Sequence, residues 1–515
     1  MPRLLVALLV AFALPVAAES PDGETALARA VYRDDALAVE QMLETGTDVN
    51  VSNDYGVTPL HLACANRNSA IVRQLLDAGG NPNLSKLTGE TPLMTCAASG
   101  AVDAGRLLLA HGADPNAAET DENQTALMWA VAGQHAESVG DLISRGADVN
   151  ARSRFIDEPE PYVVDTPGLT VFGTNYPPTT RFREISGGFT ALHFAAQQGA
   201  LQCARLLQDA GADIDSPHPE YGSPLIVAIA SGHEELAHYL LEQGADPNVK
   251  DGWGIAPLHY ALHEGVLILN NFRPSRTDRF GWVRENMPEL VTALLEKGAD
   301  PNARIEYSYS YMDDPFLARS MEDPPLVDPV GATPLLLAAA SGDVESMRIL
   351  AGVSDTRART IGGASAFLLA AGAGAERGTR KEKPALEAVK FALEIGAGGV
   401  DDRLTELAAD GPAKGKADGR TALHFAASLG WSEVVRFIAR EGAEMNAQDR
   451  YGMTPVKIAL GDPEGRYYRQ VGDGNYDGRF RKLEPTVNGD EELAELLVSL
   501  GAEPYTGEYR DRSGE

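Results

Sequence analysis

The chain has 515 residues, of which 44% are hydrophobic and 23% charged, and a formal net charge of −30. That hydrophobic share suits a folded protein. The acidity argues against nucleic acid and anionic lipid surfaces as partners and keeps the molecule soluble.

Residues 1–18 read as a removable leader: Arg3 gives a positive start, Leu4 to Leu14 an apolar core, and Val16-Ala17-Ala18 small residues before a cut. The apolar run is short for a membrane-spanning helix, and no later stretch is long and apolar enough. An exported soluble protein, periplasmic or secreted, is expected.

From Thr25 onward a threonine-led cassette recurs. Its clearest copies are T-P-L-H at Thr58 to His61 and T-A-L-H at Thr190 to His193 and at Thr421 to His424. Thr58 to Thr91, Thr190 to Ser223 and Thr421 to Thr454 are each 33 residues apart, and G-A-D-P-N or a variant closes most copies. Unit starts fall at Thr25, Thr58, Thr91, Thr125, Thr190, Ser223, Ala256, Thr333, Ser365, Thr421 and Thr454. Threonine at the N-cap accepts from first-turn amides, and Pro59, Pro92 and Pro334 occupy the position where a missing N–H costs nothing. Leu75-Leu76, Leu206-Leu207 and Leu294-Leu295 predict a second apolar-faced helix. A glycine such as Gly112 or Gly442 ends it, and Asp-x-Asn turns the chain toward the next unit. The units at Thr333 and Ser365 depart from the pattern at their closing segments, so irregular stacking is expected there.

Period and paired signatures resemble the ankyrin-repeat family over nearly all of the mature chain. The resemblance implies an all-α solenoid with short β-hairpin turns, about eleven stacked repeats and an extended binding face. Repeats one to four would fill 19–150 and repeats five to eleven 188–504, with a polar tail at 505–515. Hairpin insertions fall at 151–187, 305–330 and 398–418, and insertions between the two helices of a repeat at 264–288, 374–384 and 461–489. The first three carry a net charge of −8 and the others +3.

The histidines of the cassette, His61, His193, His259 and His424, read as structural bridges between loops. Cys64, Cys96 and Cys203 lie six, five and thirteen residues past their threonines. Those unmatched positions argue against a disulfide and for small buried residues.

Family contact positions map to hairpin tips at Tyr55, Trp253 and Tyr451, with Tyr221 close by, and to inner-helix ends at Asn66, Arg67, Gln134, Gln197, Gln198 and His263. Tyr307, Tyr309 and Tyr311 would share one face of an extended segment, followed by Asp313 and Asp314, a patch suited to a basic protein surface. Asp473, Asn475, Asp477 and Glu484 follow calcium-loop spacing, with Gly478 at the turn; Pro485, which blocks a normal exiting helix, and the crowding Arg479, Arg481 and Lys482 argue against it. Apart from that calcium no cofactor is expected. No phosphate loop, G-x-S-x-G, H-E-x-x-H or paired Cys-x-x-Cys occurs, so nothing asks for catalysis. The sequence points to an exported, monomeric, non-enzymatic scaffold for a periplasmic protein. The alternatives are a small-ligand or calcium receptor under the insertions and a secreted effector acting in a host cell.

Overall fold

The computed structural model describes residues 25–155, 187–219, 221–252, 254–262, 264, 285–306, 327, 329–375, 380–405, 419–461 and 490–506, plus four short strands within 161–182. The chain divides into two compact units, Met1–His218 with Ser223–Gly244, and Pro219–Gly222 with Ala245–Glu515.

In the first unit the helices come in pairs, an inner helix followed by an outer one. They are α1 (Ala26–Tyr32) and α2 (Ala36–Glu44), α3 (Pro59–Ala65) and α4 (Ser69–Asp77), α5 (Pro92–Ser99) and α6 (Val102–Ala110), α7 (Ala126–Ala132) and α8 (Ala136–Ser144), α9 (Ala191–Gln198) and α10 (Leu201–Asp209), and α11 (Pro224–Ser231) and α12 (Glu234–Glu242). Each inner helix packs on the next, α3 on α5, α5 on α7 and α9 on α11. Alanines at the contact, Ala63, Ala130, Ala195 and Ala228, are fully buried. Having no side chain beyond Cβ, they let the helices approach closely. Leu75, Leu108 and Leu207 of the outer helices are also fully buried, each worth about 2 kcal/mol of apolar burial. Between α8 and α9, strands β1 (Pro161–Val164) and β4 (Thr179–Phe182) pair antiparallel, as do β2 (Thr170–Val171) and β3 (Thr174–Asn175).

The second unit continues the scheme with α13 (Pro257–Tyr260) and α14 (Pro288–Glu296), α15 (Pro334–Ser341) and α16 (Val344–Ala351), α17 (Ala366–Ala370) and α18 (Glu382–Glu394), α19 (Ala422–Leu429) and α20 (Ser432–Arg440), and α21 (Pro455–Ala459) and α22 (Glu491–Ser499). Helix α17 has only five residues. The buried Arg380 donates to its terminal carbonyls at Leu369, 3.0 Å, and Ala370, 3.4 Å, with Trp431 5.4 Å from the guanidinium. Burial pushes the Arg380 pKa down to about 10, partly offset by Glu264, so it remains a cation at neutral pH.

Within each unit an asparagine ties neighbouring repeats at several junctions. Asn116 donates to the Gly146 carbonyl, 2.9 Å, and accepts from the Asp148 amide, 2.8 Å. Asn83 does the same with Gly112 and Asp114, and Asn248 with Gly298 and Asp300.

The cassette histidines are structural. His61 Nδ1 accepts from the Thr58 amide, 3.2 Å, and Nε2 donates to the Glu90 carbonyl, 3.0 Å, which assigns the Nε2–H tautomer. His424 bonds in the same way to Thr421 and Met453, and His259 to Ala256 and Ala303. Burial holds His61, His259 and His424 at pKa values of about 4.

One expectation is overturned. Cys64 and Cys96 form a disulfide, with Cα atoms 4.7 Å apart. The argument from unequal offsets assumed ordinary helix spacing. The alanine-lined contact brings α3 and α5 closer, and that approach absorbs the one-residue offset. Cys203 is free and buried, as expected.

Candidate functional site

Hairpins precede the inner helices, and their turns are set by local polar side chains. In the first unit Asn53 Oδ1 accepts from the Tyr55 and Val57 amides, 3.0 and 2.9 Å, closing a tight turn before α3. Before α5 the equivalent turn is closed by Lys86 N to Glu90 O, 2.8 Å, with a Lys86–Glu90 ion pair of 2.7 Å above it. Successive tips bond to each other: Leu87 N donates to Tyr55 O, 3.0 Å, and Thr120 N to Thr88 O, 2.8 Å.

This row presents apolar side chains to solvent. Tyr55 is 65% exposed and Leu87 75% exposed. Leu87 was not among the candidates from the sequence. Its signal was an apolar residue inside the K-L-T-G turn, where nothing in the repeat can cover it. In the second unit Ile361, 52% exposed, occupies the corresponding T-I-G-G turn.

The other candidates divide by what holds them. Tyr221 is buried at 8% exposure, so it is no accessible tip. Two positions before its N-cap serine rather than three, it sits at the base of the turn. Tyr451 is half-buried, its amide bound to Asp449 Oδ1 at 2.9 Å. Asn66 is exposed, but its amide group donates to the carbonyls of Val31, 2.8 Å, and Tyr32, 3.2 Å, at the end of α1. Gln134 donates to the Gln198 carbonyl, 2.8 Å, and the Gln197 carbonyl accepts from His233 Nε2, 3.0 Å. These residues hold one repeat to the next. Arg67 is exposed with φ of 57°, a left-handed backbone that Gly100 and Gly199 adopt at the same place in other repeats. Trp253, His263, Tyr307, Tyr309, Tyr311, Asp313 and Asp314, and the calcium-spaced Asp473, Asn475, Asp477 and Glu484, lie outside the described residues.

Arginines at the hairpin bases are consumed internally. Arg152 donates to the carbonyls of Gly188 and Pro217 and to Ser216. In the second unit Arg304 donates to Gly331 and Arg359 carbonyls, and Arg403 to Gly419, Gln448 and the Glu444 carboxylate. Beside the first unit's tips Asp54 and Asp121 stand exposed. Two exposed aspartates therefore flank the apolar tips, with Arg154 exposed beside the hairpin of Asp121. Phe155 packs edge-on against His218, 5.7 Å between ring centroids, and His218 against Phe189, so this loop aromatic anchors its own loop. Among the described residues no three His, Cys, Asp or Glu side chains gather as metal ligands, and no helix is long and apolar enough to cross a membrane.

A family model described as ankyrin repeats (3 copies) matches residues 4–86, 68–153, 176–251 and 382–465, and another described as ankyrin repeats (many copies) matches 225–282. Similar proteins include the ankyrin repeat protein nuc-2 of Neurospora crassa, 27% identical over 212 residues, covering 41% of this chain and 19% of that protein. The E3 ubiquitin-protein ligase KEG of Arabidopsis thaliana is 26% identical over 291 residues, covering 53% of this chain and 16% of that protein. Protein phosphatase 1 regulatory subunit 27 of Homo sapiens is 37% identical over 70 residues, 14% of this chain and 46% of that protein. The matches span less than a fifth of the first two relatives. Among solved structures, the Bcl-3 ankyrin repeat domain is 26% identical with a TM-score of 0.36, covering 46% of this chain and 94% of that one. The human ASB11 ankyrin repeat domain is 20% identical with a TM-score of 0.39, covering 54% and 100%.

Proposed function

The chain belongs to the ankyrin-repeat family, and from that premise we propose that it is an exported, non-enzymatic scaffold that holds a protein partner with a basic surface. Proteins of this family generally bind other proteins. The observation that carries the reading is the pair Tyr55 and Leu87, bonded tip to tip through the backbone and both largely exposed. Large apolar side chains on a rigid turn lose little entropy when they enter a partner's pocket. The acidic neighbours favour basic partners and would speed their approach. The Cys64–Cys96 bridge supports export, because disulfides persist in oxidising compartments. The tyrosine-rich segment at 307–311 with Asp313 and Asp314 is proposed as a second contact on the same chemistry.

The test places a photo-crosslinking residue at position 55 or 87 of the full chain, with position 498 as control, in an extract of the exported compartment. A single protein cross-linked from 55 and 87, lost in Tyr55→Ala/Leu87→Ala and weakened by salt, supports the scaffold. Equal labelling from all three positions refutes this edge as the contact.

A further inference from the structure

We propose that the Cys64–Cys96 bridge is a redox lock: it fixes the two hairpins that carry Tyr55 and Leu87 in one register, so this edge of the first unit is set only after the chain has met a thiol oxidant. The proposal uses the binding reading only in treating those two side chains as anchors.

Placement carries the argument. The hairpin bearing Tyr55 runs through Thr58 directly into α3, which holds Cys64. The hairpin bearing Leu87 runs through Thr91 directly into α5, which holds Cys96. At the hairpin end this junction is tied by the Leu87 N to Tyr55 O bond and by the His61 bond to the Glu90 carbonyl; elsewhere Ser99 Oγ donates to the Cys64 carbonyl and Asn83 bonds Gly112 and Asp114. The hairpin bonds are ordinary bonds between turns, and turns open readily. The disulfide is covalent and lies within α3 and α5, three residues past His61 on α3. Other repeats carry no sulfur at the fifth and sixth positions past the N-cap: Ala130 and Val131, Ala195 and Ala196, Ala426 and Ala427. The staple is thus specific to the junction whose tips are most exposed.

The chemistry balances without any group from the fold. One cysteine thiolate attacks the disulfide of an exchange oxidant and forms a mixed disulfide. The second thiolate displaces the oxidant's remaining sulfur. The pair loses two protons and two electrons, and the oxidant's disulfide becomes two thiols. Cys64 and Cys96 are 0% and 1% exposed, so exchange occurs before the repeats dock or through their opening, and the finished bridge is shielded from reductants. In the folded protein Cys203 remains a free thiol, buried on α10, and burial raises its pKa to about 11. The bridged residues are 32 apart in sequence. Closing a loop of that length disfavours the open chain by several-hundred-fold, on the order expected from loop entropy.

The test uses the full chain exported by an expression host. Alkylation after denaturation should label one cysteine in the isolated protein and three after reduction. Amide exchange at 53–57 and 86–90 should accelerate at least tenfold on reduction, while α19 and α20 stay unchanged. Cys64→Ala/Cys96→Ala should match the reduced protein and ignore reductant; if it fails to fold, reduced wild type supplies the same comparison. Three thiols in the exported protein, or equal exchange at both hairpins in the two redox states, overturns the lock. If exchange responds but Tyr55→Ala leaves cross-linking unchanged, the lock stands and the binding reading fails.

Discussion

Acid should loosen this fold through its buried histidines, beyond the usual effect of carboxylates. In the unfolded chain each imidazole takes a proton near pH 6.5, whereas His61, His259 and His424 when folded do so only at about 4. Between those values the unfolded state binds more protons, so stability falls as pH falls, and the loss is complete below about 4. At pH 5 each histidine costs about 2 kcal/mol, from roughly 1.4 kcal/mol per pH unit over the interval below 6.5. His259 and His424 lie in the second unit, so that unit loses about 4 kcal/mol there. The perturbation that isolates the effect is His424→Gln. It removes one titrating imidazole and costs stability at neutral pH, because the Thr421 amide and the Met453 carbonyl lose their partner. Urea unfolding between pH 7 and 4.5, with amide exchange across α19 and α20 as the local readout, gives stability against pH for both proteins. The variant's slope near pH 5 should be shallower by about 1.4 kcal/mol per pH unit. Parallel curves would refute the assignment of a neutral, doubly bonded imidazole.

Other perturbations test the stack itself. Gly105→Ala in α6 should raise the urea midpoint, adding about 1 kcal/mol, since a Cβ there meets nothing within 4 Å and the residue lines a cavity of about 10 Å³. Asn116→Ala should cost about 1–2 kcal/mol by removing both junction bonds. Asn116→Asp should also destabilise, because an ionised carboxylate cannot donate to the Gly146 carbonyl. Arg67→Gly should add about 1 kcal/mol by relieving a left-handed backbone, whereas Gly100→Ala should destabilise, as its Cβ would lie 2.7 Å from the His135 ring. Thermal melting of each variant beside wild type checks the sign.

What the sequence determined by itself was local. Thr91 and Thr125 cap α5 and α7 through hydroxyls that accept from amides three residues on. Pro59 and Pro92 stand at first helical turns, and Gly112 and Gly442 take left-handed backbones. Each follows from the conformational preference of one residue and its immediate neighbours, and the 33-residue recurrence multiplies it into a fold. Even the histidine bridges were legible, because they recur with the cassette. What the tertiary structure decided was everything that depends on the distance between repeats. The alanine contact brings α3 and α5 close enough for Cys64 to meet Cys96. Asn66 and Gln134, expected to face a partner, spend their amide groups on carbonyls of neighbouring repeats. Tyr55 and Leu87 stay exposed while Tyr221 is buried, although all three lie in hairpin turns. Local preference sets which way a turn bends, but only the packed neighbour settles what covers the side chain at its tip.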